Sequence, residues 1–178
     1  MKAVLISIQP KWCALIAQGK KTIEIRKTQL KIDTPFKCYI YCTKTPKGKS
    51  QTYDAFSDNP CDYGGKIIGE FICDKIHILP CIKPFHCYGA KMHHSGRFCD
   101  QACLEWFNME HYLGRKTGYA WHISNLIIYD NPKELYEFVN YDKHEACLQK
   151  NCFGGDCWCC PNNAIMIRPP QSWCYVKE

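Results

Sequence analysis

The chain has 178 residues, which suits a single domain (1–178) that can build a hydrophobic core without disulfide support. Hydrophobic residues make up 46% and charged residues 22% of the composition, and no apolar run is long enough to span a membrane, so a cytoplasmic globular protein with no membrane partner is expected. The net charge of +6 permits a polyanionic partner without requiring one.

The first elements follow one another in tight order. Residues 3–8 predict a strand, and residues 10–18 predict a short helix with Pro10 in its first turn and Trp12 on its apolar stripe. Gly19 follows the expected end of this helix, as a glycine that terminates helices does. A strand at residues 22–26 comes next.

This next strand carries the most informative pattern of the chain. Thr22, Glu24 and Arg26 alternate with two isoleucines, so the three polar side chains share one face of a half-buried strand. Lys21 stands at the turn before it and can reach over the same face. A lysine, a carboxylate and a guanidinium in this arrangement are typical of the floor of a polar pocket. The alternatives are an exposed edge strand with solvated charges, or an ion network that only closes the fold.

The rest of the chain predicts further strands at 37–43, 65–78, 119–129 and 172–176, and further helices at 99–113 and 132–139. Residues 45–64 are rich in Pro, Gly, Ser, Asp and Asn and predict a long loop. In the second helix Asp100 is a candidate cap, and Glu105 and Glu110 are further carboxylates. This helix either covers a pocket as a lid or packs against the core.

The order of strand, helix, glycine turn and charged strand resembles the ASCH family of PUA-like domains. The motif of that family, G-x-K-x-x-E/T-x-R, is matched here by Gly19, Lys21, Glu24 and Arg26. The resemblance covers about residues 1–80 and 118–140, and the ending at 168–176 is similar to that of prophage-type members. It implies an α+β, mainly β fold, a PUA-like β-barrel with a few short helices. Residues 80–117 then form a helical insertion.

The chain contains fifteen cysteines, a number whose role needs an explanation in a protein that is expected to be cytoplasmic. Their odd number and the lack of a secretory signal favour core thiols or metal ligands over disulfides. Cys38, Cys42 and Cys73 lie on predicted strands and are expected to be buried. The segment 144–162 has the spacing of a small zinc knuckle, with a structural zinc ion as cofactor and these ligands: Cys147, Cys152, Cys157 and Cys160. Cys159 or His144 could substitute for one of them, and incidental cysteines in a loop are the alternative.

A binding module is the first functional hypothesis. A basic cleft around Lys21 and Arg26 would meet phosphate or base oxygens of RNA, a nucleotide or a modified nucleoside. Glu24 would accept a hydrogen bond from an exocyclic amino group, and Trp12 or Trp173 would stack on the base. Lysines and aromatic residues at 44–56 could extend such a cleft.

An enzyme is the second hypothesis, and it rests on the resemblance. Small ASCH proteins are similar to amidohydrolases that deacetylate N4-acetylcytidine with a lysine, a threonine and a glutamate. Lys21 matches the lysine, but Glu24 stands at the place of the nucleophile, while Thr22 lies two residues earlier. Glu24 could still act as a general base, and Glu70 is a second carboxylate placed by motif. A zinc-stabilised protein-interaction module is a third possibility.

Overall fold

The computed structural model describes residues 1–44, 63–80, 98–114, 116–149 and 164–177. These residues form nine strands: β1 (Lys2–Ile8), β2 (Ile23–Arg26), β3 (Phe36–Cys42), β4 (Ile67–Cys73), β5 (Ile76–Leu79), β6 (Gly118–His122), β7 (Ser124–Lys133), β8 (Val139–Asn140) and β9 (Trp173–Lys177). The helices are α1 (Pro10–Ala17), α2 (Trp106–Leu113) and α3 (Tyr141–Gln149). Short helical turns lie at 98–102 and Leu135–Glu137.

The strands form two sheets. The main sheet has the order β7-β4-β3-β1-β9-β8, and the small sheet has the order β2-β6-β5. Only β1 and β3 pair in parallel; the other ladders are antiparallel. The predicted class, α+β and mainly β with a few short helices, is confirmed. Within the described ranges, however, no strand ladder joins the two sheets, so they are not closed into the barrel that the resemblance implies.

Three apolar clusters hold the sheets in place. One face of β1 and β3 packs with α1 and with Trp121 of the small sheet, and the other face packs beneath Leu135 and Phe138. The third cluster joins Ile23 and Ile25 of β2 to Met109 of α2. The apolar run of β1 follows from this arrangement, because a strand buried on both faces needs no alternation of polar and apolar residues.

Two long predicted strands are each divided where the chain passes from one sheet to the other. Asp74 and Lys75 separate β4 of the main sheet from β5 of the small sheet, and Ile123 separates β6 from β7. At this crossing the His122 ring contacts the Asp74 carboxylate, with 2.6 Å between Nδ1 and Oδ1. The pair therefore lies where the two sheets exchange strands.

The predicted helix at 132–139 is wrong. Strand β7 continues through Pro132 to Lys133, which pairs with Ile67 of β4. Proline is tolerated there because β7 is an edge strand of the main sheet. The short helical turn that follows has Glu134 as its N-cap, and the Glu134 side chain forms a capping box with Glu137.

The predicted helix at 99–113 is also interrupted. Cys103 has a positive φ of 52°, which ends the first helical turn and separates it from α2. Glu105, not Asp100, is the residue at the N-cap of α2. Gly19 ends α1 as expected, with a φ of +70°. Gly69 of β4 has no room for a side chain, because a Cβ there would clash with the Ile127 carbonyl oxygen.

No helix in the described part of the chain combines the length and the apolarity needed to cross a lipid bilayer. Cys38, Cys42 and Cys73 are buried, as predicted. Burial raises the pKa of the Cys38 thiol well above its usual value and that of Cys73 to about 12. These thiols therefore stay protonated and pack as small apolar groups.

Candidate functional site

Strand β2 presents its charged side chains as the sequence predicts. Ile23 and Ile25 point into the third cluster, and Glu24 and Arg26 lie on the opposite face. Glu24 stands opposite Trp121 in the ladder with β6, on the side of the small sheet that faces the main core. Strand β2 is an edge strand of the small sheet.

The charges are buried. Lys21, Glu24 and Arg26 keep only 3%, 8% and 7% of their surface exposed. The alternative of an exposed strand with solvated charges is therefore wrong. A buried charge must find partners inside the protein, since its removal from water is costly.

Lys21 is held by the turn that ends α1. The backbone N–H groups of Lys20 and Lys21 donate to the Leu15 carbonyl, which aims the Lys21 side chain back over β2. Its ammonium donates to the Ala102 carbonyl at 2.8 Å and lies 3.3 Å from Glu24 Oε2. The segment at 98–102 therefore supplies an acceptor for the motif lysine.

Arg26 connects β2 to the ends of two strands of the main sheet. Its guanidinium donates from Nη2 to the Ser7 carbonyl at 2.7 Å and from Nη1 to Ser172 Oγ at 3.3 Å. Nη2 also lies 3.2 Å from Glu24 Oε1. Two buried atoms of this network have no hydrogen-bond partner among the described residues: Glu24 Oε2, despite its ion-pair contact, and Arg26 Nε.

The network lies in an open pocket of about 750 Å³. This volume falls within the range of about 300 to 1,000 Å³ that small-molecule sites occupy. Helix α1 contributes Trp12 to the walls, and α2 contributes Asn108 and Tyr112. The remaining lining residues are Ser7, Ile8, Gln9, Ile25, Lys27, Thr28, Thr43, Leu104, Gln171 and Ser172.

Tyr112 lines the pocket and carries a titratable phenol. Its pKa is raised, chiefly by burial and further by the nearby Glu24 carboxylate, while Arg26 acts in the opposite direction. The phenol is therefore neutral at physiological pH and presents a hydroxyl that can donate. The pocket combines a charged floor with aromatic walls.

Several residues predicted for the site lie elsewhere. Thr22 is outside the pocket lining, although it directly precedes β2, and its backbone N–H donates to the Gln101 carbonyl. Glu70 contacts the Tyr129 hydroxyl and lies 3.5 Å from Lys37, away from the pocket. Trp173 donates from its indole to Thr28 Oγ1 at 2.8 Å, so it supports a pocket residue from behind.

The predicted insertion forms one wall of the pocket. Leu104, Asn108 and Tyr112 line it, while Met109 of the same segment packs in the third cluster. The segment is thus both a packing element and a pocket wall. The spacing of Asn108 and Tyr112, four residues apart on α2, is the sequence signal that could have assigned them to the site.

The predicted zinc knuckle stays a prediction. Its cysteines at 152, 157 and 160 lie outside the described residues, as does the side chain of Cys147. Over the ranges that the structure describes, no group of three or more His, Cys, Asp or Glu side chains is arranged to hold a metal. The loop lysines and aromatics at 45–62 also fall outside these ranges.

Comparison with solved structures identifies ASCH proteins from Zymomonas mobilis. The crystal structure of ASCH from this organism shares 17% identity with a TM-score of 0.58, over 99% of this chain and 88% of that chain. Two mutants of that protein give TM-scores of 0.57 at 17% and 18% identity, covering 100% and 99% of this chain and 92% and 89% of theirs. No protein-family model matches the chain, and no curated protein does. At this level of identity the likeness establishes the fold, and the chain therefore has the fold of ASCH proteins.

Proposed function

We propose that this ASCH-type domain binds RNA, a nucleotide or a modified nucleoside, and that its pocket takes up one unstacked base. The lysine, the carboxylate and the arginine of β2 and its preceding turn would read the base edge. The aromatic residues of the two helical walls would cover its faces.

The observation that carries this proposal is the burial of the three charges with two polar atoms left over. Buried ion networks are weak contributors to stability, because the cost of removing charges from water offsets much of their attraction. Buried polar atoms are nearly always hydrogen-bonded in native proteins. Glu24 Oε2 and Arg26 Nε are exceptions to that rule among the described residues, and both side chains belong to residues that line an open pocket. A ligand that supplies a donor and an acceptor would satisfy both.

Nucleobases have edges of this kind. An exocyclic amino group can donate to Glu24, while a ring nitrogen or carbonyl oxygen accepts from Arg26 or Lys21. Trp12 and Tyr112 offer π-faces for stacking, which contributes about 1 to 3 kcal/mol per base in single-strand binders. Capture of an unstacked base by stacking and edge contacts is a common mode of RNA recognition.

The experiment is a titration of short labelled RNA. Four fluorescein-labelled pentaribonucleotides carry a different base at the centre with uridines elsewhere, and a fifth is abasic at the centre. We expect Lys21→Ala to weaken binding of the best pentamer more than tenfold and to leave the weak binding of the abasic one unchanged. Lys143→Ala, an exposed lysine on α3, is the control. Equal affinity of the wild-type protein for all five pentamers, or an unchanged affinity of folded Lys21→Ala for the best one, would contradict the proposal.

Hydrolysis of a modified base is the second candidate, and one observation favours it. Lys21 Nζ and Glu24 Oε2 are 3.3 Å apart and buried together, as a base and its electrostatic partner can be. Glu24 would take a proton from water as the water oxygen attacks the acetyl carbonyl of N4-acetylcytidine. Lys21 would steady the oxyanion, and the amine would leave with the proton, giving acetate and cytidine. Because Thr22 lies outside the pocket lining, we favour binding over this reaction.

Acetate release separates the two candidates. Turnover of N4-acetylcytidine by the intact protein that disappears in Lys21→Ala would establish the hydrolase. A folded protein that binds the pentamers and releases no acetate would leave binding as the function.

A further inference from the structure

We infer that the pocket takes a nucleotide that is internal to an RNA strand, with Lys11 and Lys27 holding the phosphates on its two sides. This inference rests on the proposed function and adds to it that the captured base belongs to a strand with a phosphate on each side of it. A free nucleoside has no group for these lysines, and a mononucleotide has a group for one of them.

Each of these lysines is held beside an aromatic wall of the pocket. Lys11 Nζ lies 4.2 Å from the centre of the Trp12 ring, and Lys27 Nζ lies 4.5 Å from the centre of the Tyr112 ring. Such contacts contribute about 0.5 to 1 kcal/mol at exposed sites. That is enough to keep an ammonium near the mouth of the pocket and too little to prevent its transfer to a phosphate.

The two lysines are available for an anion, unlike the cations of the pocket floor. Lys21 and Arg26 are committed to Glu24 and to backbone and serine oxygens. Lys11 and Lys27 are exposed, and within the described ranges neither ammonium has a carboxylate at ion-pair distance. These two exposed lysines can therefore take phosphates, while the floor of the pocket is left to the base.

The aromatic partners of the two lysines belong to helices that pack on opposite faces of the small sheet. Trp12 belongs to α1, which packs in the first cluster on the face of the small sheet that carries Glu24. Tyr112 belongs to α2, which packs in the third cluster on the opposite face. The two lysines therefore lie beside different walls of the pocket, one contributed by α1 and one by α2. Phosphates that flank a captured base on both sides match this arrangement.

The salt dependence of pentamer binding tests the inference. Each phosphate contact with a single strand adds about 0.7 to the slope of log affinity against log salt concentration. We expect Lys11→Ala and Lys27→Ala each to make that slope shallower by about 0.7, with Lys143→Ala unchanged. Competition by the free nucleoside of the best central base should be the same for wild type and both variants. Its 5′-monophosphate should lose affinity in one variant only.

The outcomes distinguish this inference from the function on which it rests. Base-dependent binding with an unchanged salt slope in both variants would overturn the inference and leave the proposed function standing. Binding of equal strength to all five pentamers, whatever the lysine variants do to the salt slope, would overturn both. Base-dependent binding with both slopes reduced would support both.

Discussion

The charges around β2 and the ion pair between Lys66 and Glu134 are the same kind of contact in two different surroundings. Lys66 Nζ lies 3.1 Å from Glu134 Oε1, and both side chains are about two-fifths exposed. The contacts of Glu24 with Lys21 and Arg26 are of similar length, at 3.3 and 3.2 Å, but the side chains are almost fully buried. Distance alone would rank the two sites as equals.

Burial is what separates them. An exposed pair contributes at most about 1 kcal/mol, because water screens it and both side chains lose freedom. A buried pair gains more from its partner and loses more when the partner is removed. The pocket charges are therefore more sensitive to one another than the two members of the exposed pair are.

Neutralising Glu24 should produce the largest effect. Glu24→Gln leaves two buried cations beside each other without a carboxylate, and we expect a loss of about 3 kcal/mol in the free energy of unfolding. Lys66→Met, which removes the exposed pair, should cost less than about 1 kcal/mol. Urea denaturation of both variants measures the difference. Equal losses would mean that water reaches the pocket charges as freely as it reaches Lys66.

Removal of the Tyr112 ring should affect binding more than stability. Tyr112→Ala takes away a stacking surface of the pocket and the ring beneath Lys27, and we expect the affinity for the best pentamer to fall by about 1 to 3 kcal/mol, or roughly five- to 150-fold. Phe107 on the same helix is 73% exposed and lies outside the pocket lining, so Phe107→Ala is a matched control that should leave affinity unchanged. Similar losses in both variants would show that α2 acts as a whole and not through the pocket wall.

The sequence predicted the strands well where their composition decides the matter. Runs of β-branched and aromatic residues marked β1, β3 and β9 to within a residue or two. It failed at Asp74 and Ile123, where the chain changes sheets, because local propensity contains no information about which sheet a strand will join. The prediction failed again at Pro132, because whether a strand can continue through a proline depends on whether that strand lies at the edge of its sheet.

The site shows the same difference between features that the local sequence determines and features that it does not. Alternation along β2 was enough to place Glu24 and Arg26 on one face, because that geometry is local. The partners of Arg26 could not be inferred in this way. Ser172 is 146 residues away in the chain, and it reaches the guanidinium only because β9 pairs with β1. Packing of distant elements, which single-sequence patterns do not encode, completes the pocket.

The smallest expected effect concerns the exposed pair at the crossing of the sheets. The pKa of the Asp74 carboxyl is lowered from 3.8, chiefly by the hydrogen bond from the His122 ring. A lowered pKa in the folded state means that the ionised carboxylate stabilises the fold above about pH 3.8, and that this contribution fades as the pH falls through the folded-state value. Because both side chains are substantially exposed, the contribution should be less than about 1 kcal/mol.

Asp74→Asn should therefore lower the melting temperature by about 1 to 3 °C near neutral pH, and the difference from wild type should disappear in strong acid. Thermal unfolding of both proteins across this pH range measures it. A difference that persists unchanged in strong acid would mean that the asparagine disturbs the crossing by its packing, not by the loss of charge. A difference several times larger would place this pair with the buried charges of β2, and exposure would then no longer explain why the two kinds of ion pair differ.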